Sequence, residues 1–185
     1  MSFEFNQKNL AKAQEIINKY PPNRQKSAVM PLLDLAQRQN NNYLSQNAIE
    51  KIAAMLDLPT IRVYEVARFY SMYNLKPVGK YFLQICGTTP CMLRGAKEIV
   101  ETCQKKLGIG LNETSADGLF TLKEVECLGA CVNAPMLQIN DDYYEDLNCE
   151  IMEKILDDLK NGKEIKIGSQ IGRTSSEPVK SEIQD

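Results

Sequence analysis

The sequence predicts an α/β protein: a helical unit over residues 1–78, a small layered α/β domain over 79–161, and an extended polar tail over 162–185. Three observations carry this. Up to Phe69 the apolar residues recur at three- and four-residue spacing. At Pro77-Val78-Gly79 the period changes, and short apolar runs begin. Those runs come in the order strand–helix, strand, hairpin, helix, which suits one sheet covered by helices.

Leu10, Ala13, Ile16 and Ile17 line a first helix from about Asn6 to Lys19, ended by Tyr20-Pro21-Pro22. A second covers Ser27 to Gln39, with Pro31 in its first turn and the regular part starting near Met30. Ser45 reads as the N-cap of a third helix with Ile49, Ile52, Ala53 and Leu56 on its apolar face. Leu58-Pro59-Thr60 breaks it, and a fourth short helix runs from Ile61 to about Phe69. The aromatic run Phe69-Tyr70-Ser-Met-Tyr73 reads as core and interdomain packing.

Tyr81 to Ile85 forms a compact strand that delivers Cys86 at its end. Thr89-Pro90 reads as an N-cap followed by proline, opening one helix to about Lys106. Leu122 to Glu126 alternates as a second strand and delivers Cys127. Met136–Ile139 and Tyr143–Leu147 flank Asn140-Asp141-Asp142 as a hairpin. Ile151, Ile155, Leu156 and Leu159 line a final helix closed by Asn161-Gly162. Asp141, Asp142, Glu145 and Asp146 read as polar hairpin residues rather than a catalytic carboxylate pair. The tail has no periodicity; it reads as frayed alone, or as an arm laid across a partner.

With 185 residues and 43% hydrophobic residues, the chain can bury a core. A net charge of −2 and no basic block argue against nucleic-acid binding. No apolar run approaches the roughly 20 residues that span a bilayer, and the start Met1-Ser-Phe-Glu-Phe5 has no targeting pattern. The expectation is a chain that begins here, inside a reducing compartment. Six cysteines there point to metal or redox chemistry. The chain has no histidine, which excludes imidazole-based triads, zinc sites with a His ligand, and the Rieske-type cluster.

The cysteines that organise the second domain are Cys86-Gly-Thr-Thr-Pro-Cys91 and Cys127-Leu-Gly-Ala-Cys131. Each pair follows a strand, so neighbouring strands bring four sulfurs to one point, where they can hold zinc or an iron–sulfur cluster. Zinc accepts such spacings, while wider, unequal pairs suit the footprint of two irons and two sulfides. Spacing favours the cluster and leaves zinc open. With Thr89 as the cap, Cys91 lies in the first helical turn, where N–H groups and the helix dipole favour a thiolate. Gly87 and Gly129 let backbone pass near the site without a Cβ. Arg94, one turn on, reads as surface, or as charge compensation for a cluster. Cys103 and Cys149 have no ligand partner at metal spacing and read as packing residues.

These residues resemble a known family, the thioredoxin-like 2Fe–2S subunit of respiratory complex I, NADH:quinone oxidoreductase. The resemblance rests on Cys86-x₄-Cys91 and on Glu126-Cys-Leu-Gly-Ala-Cys-Val-Asn-Ala-Pro-Met136. It extends to Ile61-Arg-Val-Tyr-Glu-Val-Ala67, Asn74-Leu-Lys-Pro-Val-Gly-Lys80, Asp141-Asp-Tyr-Tyr-Glu-Asp146 and Gly168-Ser-Gln-Ile-Gly-Arg173. Departures are a frequent Thr where Arg68 stands and a variable residue after Cys91. The resemblance implies a thioredoxin-like 2Fe–2S ferredoxin domain behind an N-terminal helical bundle. It implies that Cys86, Cys91, Cys127 and Cys131 ligate one 2Fe–2S cluster, and that no residue of this chain is catalytic.

It further implies docking on an FMN- and NADH-binding flavoprotein subunit, beside other peripheral-arm subunits, with single electrons exchanged with FMN off the main route. The complete active site then belongs to the assembly. The chain would be peripheral on the inner face of a bacterial membrane, or on the matrix side in an organelle, with no span of its own. All-thiolate ligation sets the expected potential on the order of −400 mV. The competing readings are the equivalent subunit of an NAD-linked hydrogenase or formate dehydrogenase, and a Cys₄ zinc-stabilised interaction module.

Overall fold

The computed structural model describes residues 2–174. They divide into two compact units between Val78 and Gly79.

The first unit is helical: α1 (Gln7–Asn18), α2 (Val29–Gln39), α3 (Gln46–Met55) and α4 (Thr60–Phe69). Polar side chains start two of them. Asn6 accepts from the Asn9 N–H at 2.9 Å and Ser45 from the Ala48 N–H at 3.2 Å, satisfying donors that the first turn leaves free. A 3-10 turn over Gln25–Ala28 leads into α2 and leaves Pro31 in its first turn, where no N–H is missed. Leu32, Leu33, Ile49, Ile52 and Val63 share one dry core.

The aromatic run at its end divides. Tyr73 is buried, and its hydroxyl donates to the Met30 carbonyl at 2.9 Å. Phe69, Tyr70 and Met72 are exposed, Phe69 to 80%, so of the run's aromatic residues Tyr73 alone belongs to the core of the first unit. The buried Gln37 amide ties the segment down, accepting from the Asn74 N–H at 2.7 Å and donating to the Met72 carbonyl at 3.0 Å.

The second unit is a six-stranded sheet with three helices. Its elements are β1 (Tyr81–Cys86), α5 (Thr89–Leu93), α6 (Ala96–Leu107), β2 (Glu113–Thr114), β3 (Phe120–Val125), β4 (Leu137–Ile139), β5 (Asp142–Glu145), α7 (Cys149–Lys160) and β6 (Gly168–Ser169). The strand order is β2-β3-β1-β4-β5-β6. Central β1 runs parallel to β3 and antiparallel to β4. A parallel neighbour requires a crossover, and α5 with α6 supplies it. The alternating apolar residues Leu83, Ile85, Leu122, Leu137 and Ile139 pack with Ile99, Met152, Ile155 and Leu156 of the helices.

Two expectations change. The helix opening at Thr89 is two helices, because Gly95 adopts a left-handed φ of 100° that ends α5. Its N-cap position is Thr88 rather than Thr89. Glu145 and Asp146, read as polar hairpin residues, are buried.

Residues 168–173, read as part of a polar tail, are anchored. β6 pairs with β5, Ser169 is buried, and Arg173 forms an ion pair with Asp146. The remainder of the expected tail, 175–185, lies outside the described residues. Among the described residues no helix is long and apolar enough to cross a membrane.

Candidate metal centre

Register makes the site. Ile85 pairs with Glu124 and Cys86 with Val125, so the parallel strands β1 and β3 end level, and their following loops start side by side. The first loop carries Cys86 and Cys91, both 1% exposed, and packs them against Ala96, Ala130, Ala134 and Met136. The second carries exposed Cys127 and half-buried Cys131, the latter opening a 3-10 turn, Cys131–Asn133.

All four sequence-predicted residues therefore lie at one end of the sheet, as two pairs. Cys127 Sγ and Cys131 Sγ are 3.6 Å apart, and the Cys91 thiol hydrogen-bonds Cys86. Among the described residues no three His, Cys, Asp or Glu side chains group as a set for one metal ion. Within the site the thiols stand as two hydrogen-bonded pairs. Four sulfurs around one zinc at 2.3 Å must all stand about 3.8 Å from one another. A two-iron cluster asks for that separation only within each pair.

Protonation follows the same pairing. Burial pushes the Cys86 thiol up, but bonds from the Thr88 hydroxyl, the Leu128 and Thr88 N–H groups and Cys91 bring it below its ordinary value. Cys91 is pushed up to about 12 by burial, by its bond to Cys86 and by the charge there. Cys127 is lowered by the Gly129 N–H, the Cys131 thiol and the Thr88 hydroxyl. Cys131 is raised, first by its bond to Cys127. Within each pair one thiol is lowered and the other raised, whereas a bound metal requires all of its sulfur ligands as thiolates.

Thr88 lies between the pairs. Its Oγ1 is 3.3 Å from Cys86 Sγ and also bonds the Cys127 sulfur. Sequence reasoning passed over it, since spacing singles out cysteines and not the hydroxyl between them. Donors aimed at sulfur here are individual N–H groups rather than a helix dipole, because α5 has only five residues. Gly129 is required by its φ of 88°; a Cβ there meets nothing within 4 Å. The nearest atoms that a Cβ on Gly87 would meet belong to the Glu124 side chain, which must shift to admit it.

The remaining cysteines stand apart from the pairs. Cys103 is fully buried in the main core of this unit, which raises its thiol to about 12. Cys149 opens α7 but is exposed, so it is not a packing residue. Arg94 is exposed, and its charge helps to lower the Asp146 carboxyl.

Comparison with known proteins adds four findings. The family model described as thioredoxin-like [2Fe-2S] ferredoxin matches residues 13–160. The chain is 61% identical over 160 residues to a Rickettsia felis protein named as a subunit of NADH-quinone oxidoreductase, covering 86% of this chain and 96% of the relative. A Dictyostelium discoideum protein named NADH dehydrogenase [ubiquinone] flavoprotein 2, mitochondrial, is 52% identical, covering 95% of this chain and 71% of the relative. Among solved structures, an air-oxidised NAD+-reducing [NiFe]-hydrogenase superposes with a TM-score of 0.62 at 18% identity. That likeness concerns the fold alone; it covers 70% of this chain, which spans only 23% of the hydrogenase chain.

Proposed function

This chain belongs to the thioredoxin-like [2Fe-2S] ferredoxin family, and on that premise we propose that it is the electron-transfer subunit of an NADH:quinone oxidoreductase. It carries one [2Fe-2S] cluster, and Cys86, Cys91, Cys127 and Cys131 are its ligands in this reading. The observation that carries it is the pairing of four thiols at the level ends of β1 and β3, with N–H and hydroxyl donors on the sulfurs.

The cluster supplies one-electron storage when bound. The chain's own residues hold and tune it. The apolar packing of Cys86 and Cys91 keeps water from one side. The Thr88 hydroxyl and the N–H groups of Leu128 and Gly129 favour negative charge on sulfur. The electron partner is FMN on a flavoprotein subunit that also binds NADH, and the complete enzyme is the assembly. The same reading puts the chain in the peripheral arm, at the inner face of a bacterial membrane or on the matrix side of an organelle. Support comes from a relative named as a subunit of NADH-quinone oxidoreductase over 86% of this chain and one named NADH dehydrogenase [ubiquinone] flavoprotein 2 over 95% of it.

The test is affinity purification of the tagged full chain from its native host, followed by NADH addition. Recovery with quinone-reductase subunits and reduction of the cluster by NADH within that complex is expected. Recovery with hydrogenase or molybdenum subunits would overturn the assignment.

A further inference from the structure

We propose that Arg173, locked onto Asp146 by the C-terminal strand β6, positions the turn that carries Cys131. The inference rests on the reading of Cys131 as a cluster ligand. The Arg173 guanidinium donates from Nε to Asp146 Oδ1 at 3.0 Å, and its Nη2 bonds the same oxygen. The same Nη2 donates to the Val132 carbonyl at 2.9 Å. Ser169 completes the lock: its hydroxyl donates to Asp146 Oδ2 at 2.6 Å and accepts the Arg173 N–H at 2.9 Å.

Asp146 grips the turn a second time, its own N–H donating to the Asn133 carbonyl at 2.8 Å. Two consecutive carbonyls after Cys131 are therefore held by the segments that follow β5 and β6. The next residues follow: Leu147 N–H donates to the Pro135 carbonyl at 3.0 Å, and buried Asn133 donates to Glu145 at 2.5 Å.

The physical logic is one of burial. The Asp146 side chain is 5% exposed, and such a carboxylate requires a partner. Arg173 supplies it with a planar fork that satisfies two acceptors at once, which an ammonium cannot copy. β6 offers only two residues of ladder, so the side-chain lock rather than the strand fixes the segment. Loss of the fork frees the Val132 peptide and with it the Cys131 backbone. Arg173 thus acts on the cluster through the turn and is a positioning residue.

The experiment uses the full chain, purified anaerobically with its cluster, as wild type, Arg173→Met, Arg173→Lys and Leu156→Ala. The last is a core truncation in α7 that lowers stability without touching the turn. Iron transfer to a chelator and the EPR line shape after reduction are measured. Both Arg173 variants should release iron about tenfold faster with altered g-values, the fork being irreplaceable by lysine, while Leu156→Ala keeps the wild-type line shape. Wild-type release and line shape in Arg173→Lys overturn the proposal, as does equal acceleration in Leu156→Ala. Should Arg173→Met fail to fold, the lysine variant decides alone. A wild-type chain without iron and sulfide refutes instead the functional reading beneath it.

Discussion

Thr88 Oγ1 lies 3.3 Å from Cys86 Sγ and makes no capping bond to α5, although it occupies the N-cap position. Its hydroxyl serves sulfur instead. A donor to a ligand sulfur favours the more negative, reduced state of a cluster. Thr88→Val should therefore lower the midpoint potential by on the order of 50 mV, about the worth of one hydrogen bond for a one-electron couple. An EPR-monitored redox titration measures it, and an unchanged potential would remove Thr88 from the site.

The two cysteines outside the pairs should differ in reactivity. Cys149 is exposed, whereas Cys103 is fully buried with its thiol raised to about 12. Iodoacetamide at neutral pH should label Cys149 in the folded chain and Cys103 only after denaturation, as read by peptide mass spectrometry. The raised value also sets a pH window. An unfolded thiol ionises at about 8.5, so the protonated Cys103 supports folding fully below that and loses its contribution as pH rises toward 12. Thermal melts of Cys103→Ala should show a shallower alkaline decline than the wild type.

Asp146 works in the opposite direction. Burial pushes its carboxyl up, but bonds from Arg173 and Ser169 hold it below the usual range. Its contribution is present above an unfolded value near 3.9 and is lost as pH falls through the lower folded one. Asp146→Asn should cost about 2 kcal/mol at pH 7 and flatten the acid limb below roughly pH 4 in urea titrations. A parallel acid limb in both proteins would mean that the ion pair adds nothing to folding.

Gly79 tests the packing where the second unit starts. A Cβ there would fall 2.8 Å from the Phe120 backbone nitrogen and carbonyl carbon, which cannot step aside as a side chain can. Its N–H donates to Thr121 Oγ1 at 2.6 Å, so shifting the strand also strains that bond. Gly79→Ala should destabilise the chain by about 1–3 kcal/mol in urea unfolding. A neutral result would show that the strand ends can separate freely.

Some of this architecture is legible in sequence because it is local. Asn6, Ser45 and Asn161-Gly162 mark helix ends by chemistry confined to a few residues. The cysteine pairs stand out by spacing, and the strands before them by apolar runs. β2 and β6 do not, since two residues carry no period. Gly95 reads equally well as a tolerated helix residue until its φ is known. Asp146 and Arg173 are 27 positions apart, and nothing in either neighbourhood announces that one is buried against the other. Long-range polar pairing is set by topology, and topology is what the local pattern lacks.

The central claim is that four particular thiols hold two irons. The most direct measurement is iron and acid-labile sulfide analysis of the anaerobically purified full chain, with EPR before and after reduction, on single Cys→Ala variants. An S = 1/2 signal that arises on reduction, disappears in each of Cys86→Ala, Cys91→Ala, Cys127→Ala and Cys131→Ala, and persists in Cys103→Ala and Cys149→Ala is the predicted result. A colourless chain with zinc and no sulfide, or a signal that outlives those four thiols, would contradict it.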